Sequence, residues 1–334
     1  MSHKSHINAV NTTLKDLRSS DAVMGGISFV FTGDFRQTLP VVPKGTRADI
    51  VNACLKASEV WPYIKKLHLS VNMRAYLSVN SCSEVFAQYL LQIGNGSATI
   101  TRNGYVTMSD IVGTCVRSID ELIDNVYPNI ANIQIINSNW LCERAIVTSK
   151  NSAAEDINEA VLSRISTEYK LYKSVNSVTD PNDMVHYPVE FLNSLNPAGM
   201  PPHELKLKAG TPVILLRNLK PPELCNGTRL QIIRFFPNLI KARILTGPAT
   251  GEITMIPRVP MIPTDLPFTF KRVQFPVKTC FAITINKSQG QTFNVVGIDL
   301  RNEVFTHGQL YVALSRIGSS QNQTFLIPVN GNET

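Results

Sequence analysis

The sequence predicts an α/β protein that carries a small, basic, β-rich insertion, and three observations lead there. Short apolar runs bounded by turn residues alternate with segments of helical period, both before residue 205 and after residue 278. Between Leu205 and Lys278 the helical period is lost, and ten of the chain's twenty prolines gather there. That same stretch holds twelve Lys and Arg against three Asp and Glu, whereas the rest of the chain holds twenty against twenty-two. The net charge of +7 is therefore local, and a local basic surface favours a polyanionic partner. At 334 residues, two or three compact units are expected.

Taken in order, residues 3–20 read as a helix, with Ile7, Val10, Leu14 and Leu17 on one face. GGISFVFTGDF follows, a Gly-Gly break and a continuous apolar run that suits a strand buried on both faces of a parallel sheet. Ala48–Leu55 reads as a helix, KKLHLSVNMR as a short strand and Ser83–Ile93 as a helix. ERAIVTSKNSAAEDINEAVLSRI then gives strand, loop and helix. TPVILLR, TRLQIIRFF, IKARILT and GEITMI are short β runs of the insertion, and Asn226-Gly227 signals a two-residue hairpin between two of them. After it come strand TCFAITI, loop NKSQGQT, strand NVVGIDL and a helix through Arg316, with Leu310, Ala313, Leu314 and Ile317 on its apolar face.

Composition excludes several classes. The hydrophobic fraction of 43% and charged fraction of 17% are those of a folded chain, not a disordered tail. No apolar run reaches the roughly 18–20 residues of a membrane helix, and the first twenty residues hold no apolar core of a secretory signal. Six scattered cysteines without a CxxC pair suggest neither a disulfide framework nor a zinc site, and fit a reducing compartment. No histidine spacing suggests a metal.

Four strings carry chemistry. In GDFRQTLPVV, Gly33–Val42, Gln37 lies just past the carboxyl end of a predicted strand, where ligands of open α/β sheets bind. A neutral amide there can bond a phosphate oxygen or orient a water, although Asp34 alone could simply cap a turn. In NMR, Asn72–Arg74, a guanidinium at a strand end can stabilise a transferring phosphoryl group, or serve as a surface ion pair. In AITINKSQGQT, Ala282–Thr292, the residues Lys287, Ser288 and Gln289 offer a cation, a hydroxyl and an amide. Gly290 there permits close approach of an anion. In LYVALSRI, Arg316 projects from the last helical turn, a position that also complements a helix macrodipole. Arg217, Lys220, Arg229, Arg234, Lys241 and Arg243 would decorate the β hairpins of the insertion, as suits a barrel that follows a nucleic-acid backbone.

With LKAGTPVILLRNL and CNGTRL, these strings stand in the order found in PIF (petite integration frequency) type helicases, and the chain resembles that family over residues 1–325. The likeness leans to the eukaryotic, Helitron-associated branch of these RecD-like DNA helicases of superfamily one. It implies two RecA-like parallel-sheet domains, the first incomplete, with an SH3-like β-barrel in the second. The implied units are 1–75, closing the first domain; 76–204, opening the second; 205–278, the insertion; and 279–334, closing the second.

The likeness also implies roles. Gln37 corresponds to a phosphate-sensing glutamine, and Arg74 and Arg316 to two arginine fingers. Gly33, Asp34, Gln289 and Gly290 would lie at the nucleotide. Thr284, Lys287, Ser288, Arg217 and Arg229 would hold DNA. ATP with Mg²⁺ would be the cofactors, and single-stranded DNA and forks the partners. A monomer working 5′→3′ in the nucleus, with a mitochondrial alternative, is implied, with tasks in DNA repair, recombination and telomere maintenance.

The sequence departs from the family where phosphate is held. There is no GxxxxGK[ST], and no Gly-Lys dipeptide at all. The Asp-Glu pair that would hold Mg²⁺ is expected upstream of MSHKSH, together with strands that neighbour GISFVFT. Two consequences are expected: no ATP hydrolysis by this chain alone, and an exposed apolar edge at that strand. A non-enzymatic DNA-binding remnant is the alternative, and a protein-interaction role for the basic barrel is a third reading.

Overall fold

The computed structural model describes residues 2–42, 45–69, 82–99, 106, 113–179, 186–264 and 266–327. Its centre is a five-stranded, wholly parallel sheet, ordered Thr114–Val116, Gln323–Leu326, Val295–Asp299, Arg144–Thr148 and Ala282–Thr284. The three inner strands are almost completely buried, which explains why they read as unbroken apolar runs. Alternate residues of a strand serve opposite layers. Ile146 packs with Leu122, Ile123, Ile157 and Val161, from helices Ile119–Val126 and Asn151–Arg164. Ala145 and Val147 pack on the other side with Phe86, Val312, Ala313 and Leu314, from helices Cys82–Asn95 and Gln309–Leu314. Gly297 lets the first layer come close, since a Cβ there would stand 2.9 Å from both Leu122 and Val126 side chains.

The insertion is antiparallel. Its main sheet is ordered Val277–Thr279, Pro212–Leu215, Arg229–Phe235, Leu239–Ile244 and Ile253–Pro257. Ile240, Ala242 and Ile244 face its core while Lys241 and Arg243 face away from it. The antiparallel strands begin well before residue 205. Tyr169–Lys173 pairs with Glu204–Lys208, and Val175–Val178 pairs with Phe270–Gln274, which also pairs with Val259–Met261. Tyr172, Leu205 and Leu207 share one core with Leu230, Ile232, Ile240 and Phe275. Sequence periodicity alone did not separate 169–178 from the α/β part. Only two residues separate Val277–Thr279 of the insertion from Ala282–Thr284 of the parallel sheet.

Four local expectations need correction. Asn226-Gly227 is not a two-residue hairpin: residues 216–228 separate the paired strands, and Gly227 closes the loop by donating to Leu215 O at 2.9 Å. Within that loop Lys220 and Leu224 form an isolated antiparallel bridge around Pro221 and Pro222, with Leu224 N donating to Lys220 O at 2.8 Å, so the reversal of the chain lies at the prolines and not at Asn226-Gly227. GISFVFT is extended but joins no sheet among the described residues. Val30 is 88% exposed, with Ile27 and Phe29 also exposed, because a run outside any sheet is not set between the helix layers that cover the faces of a parallel one. Residues 64–69 behave alike, with Leu67 and Leu69 exposed, and the rest of KKLHLSVNMR lies outside the described residues. The helix Lys4–Arg18 forms, yet Val10 and Leu17 of its apolar face are exposed. Its buried residue is Asn11, whose Oδ1 accepts from Met24 N at 2.8 Å.

Candidate functional site

The GDFRQT loop folds first upon itself. Asp34 Oδ1 accepts from Arg36 N at 3.0 Å, and Asp34 O accepts from Gln37 N at 3.1 Å, which makes a tight turn capped by a carboxylate. The loop then docks on the far end of the chain. Tyr311 donates its hydroxyl to Asp34 Oδ2 at 3.1 Å, and His307 Nε2 lies 3.1 Å from Phe35 O. Arg36 Nε donates to Asn95 Oδ1 at 2.8 Å. Gly308, at φ +76°, sits so close that a Cβ there would lie 2.4 Å from Arg36 O. Burial first, and then the Asp34 carboxylate, push the Tyr311 hydroxyl pKa up, so it stays a donor.

Gln37 meets the third motif directly. Gln289 Nε2 donates to Gln37 Oε1 at 2.8 Å, and Thr38 Oγ1 donates to Gln289 Oε1 at 2.9 Å, across 252 and 251 residues of sequence. The loop carrying Gln289 leaves the edge strand Ala282–Thr284 through a turn of 3₁₀ helix at Ile285–Ser288. Gly290 follows at φ +82° with no atom within 4 Å of its would-be Cβ, so backbone there is open to a ligand. Gly33 is equally open.

Arg316 does not project. It is 5% exposed and turned inward: Nε donates to Val312 O at 2.7 Å, Nη1 to Gln291 O at 3.1 Å and Ser288 O at 3.3 Å, and Nη2 to Ser315 Oγ at 2.8 Å. A buried guanidinium is tolerated only with its donors satisfied, and these carbonyls satisfy it while supporting the 288–291 loop. Two expected DNA contacts are also corrected. Ser288 is wholly buried, with Oγ donating to Ile285 O at 2.8 Å. Arg229 is 0% exposed, with its guanidinium donating to Cys142 O and Leu141 O at 3.1 Å and to Arg144 O at 3.2 Å. It ties the insertion to the parallel sheet, because those carbonyls end the helix Ser138–Cys142 and open the strand Arg144–Thr148. A basic residue among hairpins looks alike in sequence whether it faces water or a neighbouring domain.

Arg217 and Lys287 are exposed, and Thr284 ends the edge strand. Arg74 lies outside the described residues. Sequence reasoning overlooked Tyr311, His307 and Asn95. Tyr311 could have been noticed, since it is a large residue with a hydroxyl placed off the Leu310, Ala313, Leu314 face. Both Asp34 oxygens already accept hydrogen bonds, and among the described residues no group of three His, Cys, Asp or Glu side chains converges.

The PIF1-like helicase family model matches residues 1–104, and the model of the 2B domain of the DNA helicase Pif1 matches residues 190–235. The ATP-dependent DNA helicase PIF1 of Danio rerio is 29% identical over 309 residues, covering 91% of this chain and 41% of that protein. The ATP-dependent DNA helicase Pif1 of Psychrobacter sp. is 24% identical over 384 residues, covering 98% of this chain and 52% of that protein. The chain thus spans about half, or less, of the relatives it matches. Among solved structures, Pif1 helicase from Candida albicans superimposes with TM-score 0.63 at 22% identity, over 99% of this chain and 71% of that one. Pif1 helicase from Bacteroides in complex with ADP-AlF3 and ssDNA gives 0.67 at 21% identity, over 100% of this chain and 69% of that one. The fold is theirs.

Proposed function

We infer, from the premise that the chain is a relative of the PIF1-like helicases, that it is the DNA-gripping and phosphate-sensing part of an ATP-dependent DNA helicase. The observation that carries this reading is the Gln37–Gln289 contact. It brings a string from the start of the chain and one from near its end to a single point, beside the open backbone of Gly290. Gln37 and Gln289 would part to admit nucleotide phosphate, and Arg316 would leave its carbonyls to face it. Gly33 and Asp34 border that point, and Arg74 is the second finger. Thr284, Lys287 and Arg217 remain as DNA contacts, with Arg234, Lys241 and Arg243 outside on an SH3-like barrel, whereas Ser288 and Arg229 support rather than touch. The substrate is single-stranded DNA at a fork, tracked 5′→3′ by a monomer in the nucleus. No GxxxxGK[ST] loop occurs in this sequence, so ATP with Mg²⁺ would be held only where such a loop is supplied.

The 334-residue chain should bind a labelled oligothymidine with log K falling linearly against log salt, without help from ATP, and should turn over no ATP. Fused behind the phosphate-binding segment of a relative, it should show DNA-stimulated ATPase that Arg316→Ala lowers by roughly 10³-fold or more. A fusion that folds and binds both ligands yet ignores Arg316→Ala would refute the role. The second reading, a non-enzymatic single-strand binder using the same surface, is favoured by the missing Gly-Lys dipeptide and predicts an inert fusion.

A further inference from the structure

A cleft of about 240 Å³ runs between the helix Asn151–Arg164, the loop 196–202 and the strands Glu204–Lys208 and Val277–Thr279. A narrower cleft, lined by Asn151, Thr284 and Lys287 among others, continues it. Glu155, Asn158, Lys278 and Thr279 line both, so they stand at the junction. There Lys278 Nζ, from the insertion, forms a close ion pair with Glu155, from the helix. The side chains are 31% and 54% exposed, so the pair can open without unfolding anything. Lys287 lies near enough to feel the Lys278 charge: partial desolvation first, and Lys278 next, hold its ammonium below the ordinary lysine value.

Two neighbouring ammonium groups repel each other unless an anion lies between or beside them. Glu155 supplies that anion from the opposite wall. A phosphate entering the narrow cleft would meet Lys287, which makes no side-chain ion pair among the described residues and only feels the Glu155 charge, and Lys278 already neutralised, and would face the Glu155 carboxylate as a like charge. We propose that Glu155 acts as a built-in stand-in for DNA phosphate, closing Lys278 off until a single strand displaces it, so that Glu155 sets the strength and salt dependence of strand binding. This rests on the DNA-gripping reading and adds its regulation. A competing internal carboxylate weakens each grip, and weak, exchangeable grips suit a protein that must release one phosphate to reach the next. Glu159 offers an internal comparison. It pairs with Lys206 at 3.7 Å along the wide cleft but does not line the narrow one.

The test is fluorescence anisotropy of a labelled oligothymidine of about 12 nucleotides with the full chain, titrated across salt. Glu155→Gln should tighten binding about two- to fivefold and steepen the log K against log salt slope by about 0.7, the value of one added phosphate contact. Glu159→Gln should do neither, and the gain should vanish when Lys278→Ala is added. The proposal is overturned if Glu155→Gln matches wild type, if Glu159→Gln gives an equal gain, or if the gain survives Lys278→Ala. A wild-type chain that binds no oligothymidine even at low salt would instead sink the DNA-gripping reading, and this proposal with it.

Discussion

At the scale of single residues, burial decides what a polar group can do. Tyr127 is 1% exposed and donates its hydroxyl to Phe281 O at 2.7 Å, inside the core beneath the sheet. Burial pushes its pKa far above the ordinary value of 10.0. The sign of the consequence follows from linkage. The fold favours the protonated hydroxyl, so its contribution is whole below the unfolded-state pKa and is lost as pH rises beyond that towards the folded value. Urea titrations should therefore show stability falling above about pH 10, and Tyr127→Phe should flatten that fall at a neutral-pH cost of about 1 kcal/mol for the lost bond. An equal alkaline loss in Tyr127→Phe would assign the effect elsewhere. Arg229 and Arg316 teach the same lesson. Both were legible as basic residues beside the chemistry, yet neither carries a sequence mark that tells a guanidinium in water from one holding carbonyls in the interior.

At the scale of elements, legibility followed the source of each element's stability. Arg144–Thr148, Val295–Asp299 and the helices Asn151–Arg164 and Cys82–Asn95 were readable because their partners lie within the chain and the apolar pattern matches the burial. GISFVFT was readable as an extended run but not as an unpaired one, since pairing is not a property of the segment itself. Gln323–Leu326 escaped notice because QTFL is too short to show a period. The docking of the GDFRQT loop on the helix Gln309–Leu314 was hidden for another reason. It depends on Gly308, whose φ of +76° and contact with Arg36 O leave no room for a side chain. Gly308→Ala should cost about 1 kcal/mol from backbone conformation alone and should lift the loop. Hydrogen exchange should then speed up at Arg36 and Gln37 while Val296 and Ile298 stay protected. Unchanged exchange at Gln37 would mean that the contact is not what orders the loop.

At the scale of the whole molecule, the basic segment is less basic than its composition. Of its twelve cations, Arg229 and Arg272 are 0% exposed. Arg272 spends its guanidinium on Asn176 Oδ1 and on the carbonyls of Pro201, Leu192 and Leu195. Neither can release counterions when DNA binds. Arg229→Met should therefore lower the unfolding free energy measured in urea, by about 3 kcal/mol or more for carbonyls left without donors, yet leave the salt slope of oligothymidine binding as it was. A shallower slope in a folded Arg229→Met protein would return that residue to the DNA surface.

The join between insertion and parallel sheet has a mechanical meaning. Val277–Thr279 passes into Ala282–Thr284 with no slack, and the same run of chain carries Lys278, Lys287 and Gln289. Tension on a strand held at Lys278 would travel through the strand Ala282–Thr284 and the 3₁₀ turn Ile285–Ser288 to the amide that touches Gln37. A long connecting loop would absorb such a pull; a connection this short passes it on, so load on the gripping surface and the state of the glutamine contact should be felt by each other.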